Sequence, residues 1–243
     1  MSTLLREQAN LFPVLIGAIG TFGPFVAATL ITGWRSGSSG VQALLAKGLR
    51  WRLGWRGHGV VLGLPPVILL LALVLHRAIG GTVPAFFVVN HWVLLPLSFA
   101  INLALGGALG EEFGWRGFLL PLLQSRLSAL LASMVIGVIW AFWYLPLFLI
   151  PGQLQQHLPF GLYVLNTIAL SILFTWTYNS TGGSVFSAIL LHTSVDYWSG
   201  VIPVLPHAAG SVQPFAIAVL LIWVVALSLV GQVDARSVTK GYH

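Results

Sequence analysis

Glu111 and Glu112 stand side by side, with Arg116 four residues further on, between apolar stretches long enough to cross a bilayer. A charge at the bilayer centre costs about 3 kcal/mol on insertion scales. A chain like this must therefore fold so that those charges neutralise one another or serve a site. It holds 5 Asp+Glu in all: Glu7, Glu111, Glu112, Asp196 and Asp234. Glu111, Glu112 and Asp196 lie in or beside apolar segments, so the acids themselves point to one place.

Composition fixes the solvent. The chain is 57% hydrophobic and 7% charged, against about 25% charged in an ordinary soluble domain. Its 10 Trp, 14 Phe and 27 Gly suit interfacial anchoring and close helix packing. Residues 1–243 read as a single membrane domain. A net charge of +6 invites a nucleic-acid partner, but the positions argue against one. Arg35, Lys47, Arg50, Arg52 and Arg56 fall in one stretch between two apolar segments. Under the positive-inside rule that stretch is a cytoplasmic loop, and the partner is the bilayer. With 0 Cys, disulfides, thiol catalysis and cysteine-based metal sites are excluded.

A spanning helix needs about 20 mostly apolar residues. Apolar runs fall near 11–33, 59–76, 85–109, 112–123, 129–150, 159–177, 184–202 and 213–232. The expected fold class is all-α and polytopic, with about eight transmembrane helices. The run from Leu11 to Thr32 exceeds the roughly 7–15 residues of a signal peptide's apolar core, so it reads as a first spanning helix. The run from Glu112 is short and carries Pro121, which predicts a tilted or partly spanning segment. Gly37-Ser-Ser-Gly40, Pro151-Gly152 and Asn179-Ser-Thr-Gly-Gly183 supply breaks. No internal repeat is visible, which disfavours repeat-built transporters. Ala43 to Arg56 mixes bases with Leu44, Leu45, Leu49, Trp51, Leu53 and Trp55. It reads as an amphipathic helix on an anionic membrane surface, or as an ordinary cytoplasmic loop. The N-terminus is then outside and the functional site is expected to face the cytoplasm.

Helical spacing sorts the polar residues. Glu112 and Arg116 are four apart, on one face, with the acid first. They form a pair, structural or functional, that offsets much of the cost of two buried charges. Glu111 lies about 100° round the helix and is left free to act on a water or a substrate proton. His192 and Asp196 are also four apart, so the carboxylate can orient the imidazole. In a soluble core that would be a satisfied pair; within a membrane it is a site by default. Trp140 and Tyr144 share a face, and alone they read as an interfacial aromatic belt. His91 reads as a polar residue near a helix start.

Taken in order, these three stations resemble the CPBP family of intramembrane proteases. That family takes in the type II CAAX prenyl endopeptidases, the bacteriocin-immunity Abi proteins and the lysostaphin-resistance-like proteins. Its pattern is EExxxR, then FxxxH followed by Leu-Pro, then HxxxN or HxxxD. The first motif is complete in Glu111, Glu112 and Arg116, followed by Gly117-Phe-Leu-Leu-Pro121. The third is complete in His192 and Asp196. The second departs: Trp140 and Tyr144 stand where the family has an aromatic and a histidine, while Leu145-Pro146 fits. The family-like core is placed at about 85–202.

The resemblance implies a hydrolase: an endopeptidase cleaving a membrane-associated peptide or protein near the membrane surface. Glu111 would activate water, Glu112 with Arg116 would hold the helix start, and His192, oriented by Asp196, would position water or charge. Tyr144 would donate to an oxyanion. Zinc on His192 and Glu111 is admitted, but a catalytic zinc usually takes three protein ligands. Losing the second histidine makes stable zinc binding less favourable than in a relative with both. Two other classes stay open: a catalytically silent membrane protein binding a peptide or partner in the old site, and a proton-coupled transporter. The implied home is the plasma membrane of a prokaryote.

Overall fold

The computed structural model describes the backbone of residues 3–51, 53–84 and 92–238, with side chains from residue 17 on apart from 18, 19, 56 and 232–238. His91 lies outside the described residues. Among them every regular element is helical: α1 Thr3–Ala46, α2 Gly54–Ala78, α3 Leu95–Leu105, α4 Gly107–Glu112, α5 Leu120–Gln124, α6 Ala129–Trp143, α7 Leu145–Leu149, α8 Phe160–Ser180, α9 Val185–Val201, α10 Pro206–Ala209 and α11 Gln213–Val238. The protein is an all-α polytopic membrane protein. Among the described residues six helical spans are long and apolar enough to cross: Gly57–Ala78, Trp92–Gln124, Ala129–Leu149, Phe160–Ser180, Val185–Ala209 and Gln213–Gly231.

The expected eight helices are not reached among the described residues. The runs predicted at 85–109 and 112–123 are parts of one span, Trp92–Gln124. α3 gives way to α4 at Gly106, and Phe113–Leu119 continue as a π-helix into α5. Pro121 falls in the first turn of α5, directly behind the π-helix, and the Gly117 carbonyl four residues before it, which receives no N–H from Pro121, accepts from Lys47 Nζ. The break predicted at 37–40 is a kink inside α1, where Gly37 takes φ 63°.

The segment Ala43–Arg56 is not one amphipathic helix. α1 ends at Ala46, a 3₁₀ turn spans Lys47–Leu49, and α2 starts at Gly54 with φ 69°. Two of its basic side chains are tied to distant carbonyls: Lys47 Nζ donates to that of Gly117 at 2.6 Å, and the exposed Arg50 to that of Gly182 at 2.8 Å. Gly48 lies against the tip of the Phe113 ring, so the turn packs against the core while Trp51 and Trp55 remain exposed.

The chain runs back and forth, and its turns collect at two ends. The Lys47–Leu49 turn meets the α8–α9 connection, where Ser184 also donates to the Arg50 carbonyl at 2.5 Å. Ser128 and Ser184 cap α6 and α9 there, each accepting a backbone N–H three residues on. The far end holds the α7–α8 connection and the α9–α11 connection. α6 and α8 run antiparallel, with Gly137 against Ile168 and Phe142 against Phe160. Between the two ends α6, α8 and α9 enclose a core that includes Ile136, Trp140, Phe174 and Leu191.

Candidate active site

The π-helix sits directly after the two glutamates. Such π turns are rare inside helices and occur often at functional sites. Its packing on α1 needs small residues: a Cβ on Gly114 would lie 2.7 Å from the Pro24 carbonyl oxygen, and one on Gly110 would overlap the Thr21 carbonyl. Glycine at both positions lets α1 press the glutamate turn against α9.

Glu111, Glu112 and Arg116 are fully buried. Glu112 Oε1 accepts from Arg116 at 3.0 Å and faces His192 Nδ1 at 2.8 Å. On the other side of the ring, His192 Nε2 faces Asp196 Oδ2 at 3.3 Å. An imidazolium in this position would donate from both nitrogens, one to each carboxylate. Arg116 also donates to Ser171 Oγ at 3.3 Å, and its guanidinium lies 4.6 Å over the Phe174 ring and 5.3 Å from that of Trp140. The pairing and the stacking offset the desolvation of the buried cation.

Glu111 belongs to none of these contacts. The Tyr144 hydroxyl donates to its Oε1, and the Trp115 indole N–H donates to Oε2 at 3.3 Å. Trp115 is wedged edge-on against Trp143, whose own N–H is tied to the Gly20 carbonyl at 2.9 Å. Tyr144 stands at the C-cap of α6, half-buried, in the walls of two cavities. One cavity, about 420 Å³, opens between α1 and the α6–α7 junction. The other, about 380 Å³, holds His192 and Asp196 in its wall. The Asp196 side chain is 49% exposed, whereas the glutamates are sealed.

All seven residues singled out in the sequence, Glu111, Glu112, Arg116, Trp140, Tyr144, His192 and Asp196, meet in this one place. Trp140 touches the His192 ring edge-on at 5.2 Å, a role the belt reading does not cover. Trp115, Ser171 and Phe174 were missed. Thr167, Ser171 and Thr175 recur every four residues inside the apolar α8 and are buried, a polar stripe that would have pointed to Ser171.

Zinc does not fit the donors as they stand. Among the described residues no three His, Asp or Glu side chains converge to hold a metal. Both ring nitrogens of His192 face carboxylates, and Glu111 is held by Tyr144 and Trp115.

Fold and site together define a class: a polytopic helical membrane protein with a buried acid–arginine–histidine network beside a separately held glutamate. Residues 91–198 match the family model described as type II CAAX prenyl endopeptidase Rce1-like. A curated relative, the CAAX prenyl protease 2 of Methanococcus maripaludis, is 27% identical over 194 residues, covering 75% of this chain and 70% of that protein. Both findings support the CPBP family assignment that the three motifs carry.

Proposed function

We propose that this chain is an intramembrane endopeptidase of the type II CAAX prenyl endopeptidase kind. It hydrolyses a peptide bond of a membrane-associated peptide or protein near the membrane surface. The observation that carries this reading is the separation of two adjacent glutamates. Glu112 is engaged by Arg116 and His192, while Glu111 is held by two neutral donors that can let go.

In this mechanism Glu111 takes a proton from water as the water oxygen bonds to the scissile carbonyl carbon. The Tyr144 hydroxyl, freed from Glu111, donates to the developing oxyanion. His192, oriented by Asp196 and Glu112, stabilises charge across the cavity. The C–N bond then breaks, and the proton on Glu111 passes to the leaving amine. Arg116 holds Glu112 in place. No step runs through a metal, because the donor set does not fit one. The membrane is the plasma membrane of a prokaryote, in keeping with the Methanococcus relative.

The test is cleavage of membrane-tethered peptides, prenylated and unprenylated, by purified protein in lipid, with products read by mass spectrometry. Cleavage that survives a chelator supports the reading; cleavage lost on chelation and restored by zinc overturns the metal-free mechanism. No cleavage by wild type, with cleavage by Tyr144→His, would leave a silenced enzyme.

A further inference from the structure

The first turns of α8 carry an amide that the proposed mechanism leaves unused. Asn166 sits in the apolar span Phe160–Ser180. Its polar neighbours on α8 are engaged: the Thr167 hydroxyl donates to the Val164 carbonyl at 3.0 Å, and Ser171 accepts from Arg116 at 3.3 Å. The Asn166 side chain is half-buried and makes no hydrogen bond among the described residues. A primary amide offers two donor hydrogens and an acceptor oxygen. Leaving it open inside a membrane span is costly unless something takes it up.

Asn166 lines the cavity of about 380 Å³ that holds Tyr144, His192 and Asp196. Behind it lies a second, apolar cavity of about 50 Å³, bounded by Ile68, Leu173 and Ile222 among others. Asn166, Leu170, Val195, Ser199 and Phe215 are common to both. α8 and α9 run antiparallel, with the Phe174 ring 5.5 Å from that of His192. Asn166 precedes Phe174 by about as much chain as Ser199 follows His192, so the two come level across the cavity. Ser199 is half-buried as well, and its hydroxyl is unbonded among the described residues. One turn before Asn166, the Tyr163 ring lies 6.2 Å from that of Tyr144, the donor to Glu111. This face of α8 therefore reaches from the glutamate to the Asn166–Ser199 pair.

We propose that Asn166, with Ser199 opposite, clasps the main chain of the peptide substrate beside the bond to be cut. The Asn166 amide donates an N–H to a substrate carbonyl, and its oxygen accepts a substrate N–H. Ser199 supplies a further donor. Both are binding residues and neither touches the reacting atoms. From His192 to Ser199 the helix rises about 10 Å, and extended chain covers about 3.4 Å per residue. The held amide is then within about three residues of the scissile bond. A main-chain clasp reads the substrate N–H rather than a side chain, so N-methylation of that one amide breaks it. The assignment rests on the proposed peptidase, whose Glu111 cuts what the clasp holds.

The probe is a prenylated, membrane-tethered fluorescent peptide, offered to wild type, Asn166→Leu and Asn166→Ala in lipid nanodiscs, with binding and cleavage followed in parallel. Leucine is close to asparagine in size, and alanine tests the position without bulk. Both variants should raise Kd and KM about tenfold, the effect of two net hydrogen bonds, with kcat within about twofold of wild type. Their unfolding midpoints should not fall, because the amide has no partner in the fold to lose. An N-methyl scan of the peptide should find one position that costs wild type about tenfold in Kd and costs Asn166→Leu nothing further. An unchanged KM and Kd, a fall in kcat alone, or equal N-methyl losses in wild type and variant overturns the proposal. Binding does not depend on catalysis. A wild type that shows the N-methyl loss but cleaves nothing keeps the clasp and loses the peptidase. A wild type that cleaves, with variants that bind as tightly, keeps the peptidase and loses the clasp.

Discussion

Glu111 and Glu112 are neighbours in the chain, yet a turn of about 100° between them puts them in different chemistry. Glu112 neutralises the buried Arg116, so Glu112→Gln leaves a cation without its partner. A loss of about 3 kcal/mol or more of stability is expected, with loss of activity, read by thermal unfolding in detergent beside the cleavage assay. Tyr144 caps Glu111, and its position between two cavities makes it the donor able to move. Tyr144→Phe should raise labelling of Glu111 by a membrane-permeant carbodiimide about fivefold, the effect of losing one net hydrogen bond. Unchanged labelling would mean that Tyr144 does not guard the carboxylate. The acids, Arg116 and His192 were legible in the sequence because an ionisable residue in an apolar run is costly and so calls for a partner or a site. Trp115 and Phe174 were not, because an aromatic residue among apolar ones offers no contrast until its ring is seen against Glu111 or Arg116.

Helical periodicity announces apolar runs but not how two of them join. Glu112 and Pro121 look like the start and the flaw of a separate segment. The π-helix at Phe113–Leu119 carries the helix through, and Lys47 takes up the Gly117 carbonyl that Pro121 cannot reach with an N–H. The basic stretch was legible in charge and illegible in shape. Its shape is set by partners distant in sequence: the Gly117 and Gly182 carbonyls and the Phe113 ring. The glutamate turn depends in the same way on α1, through the close approach at Gly114. Gly114→Ala should destabilise by about 1–3 kcal/mol and lower cleavage, because the listener to the added methyl is the Pro24 backbone, which cannot step aside. An unfolding midpoint equal to wild type would show that α1 does not press on this turn.

At the scale of the molecule, three motifs dispersed from residue 111 to 196 converge only because α4, the π-helix, α6 and α9 meet mid-bundle. The match of residues 91–198 to the endopeptidase family and the geometry agree on that meeting point. This chain departs from the family pattern in the tyrosine of the second motif, and a mechanism built on Glu111 must work with it. The most direct measurement is the cleavage rate of a membrane-tethered peptide by Glu111→Gln against wild type, in the same lipid, with both proteins shown to unfold at the same temperature. With Glu111 as the general base, the rate falls by about 100-fold to 10,000-fold while stability holds. Equal rates for the two proteins would contradict the role of Glu111 and move the chemistry elsewhere in the site.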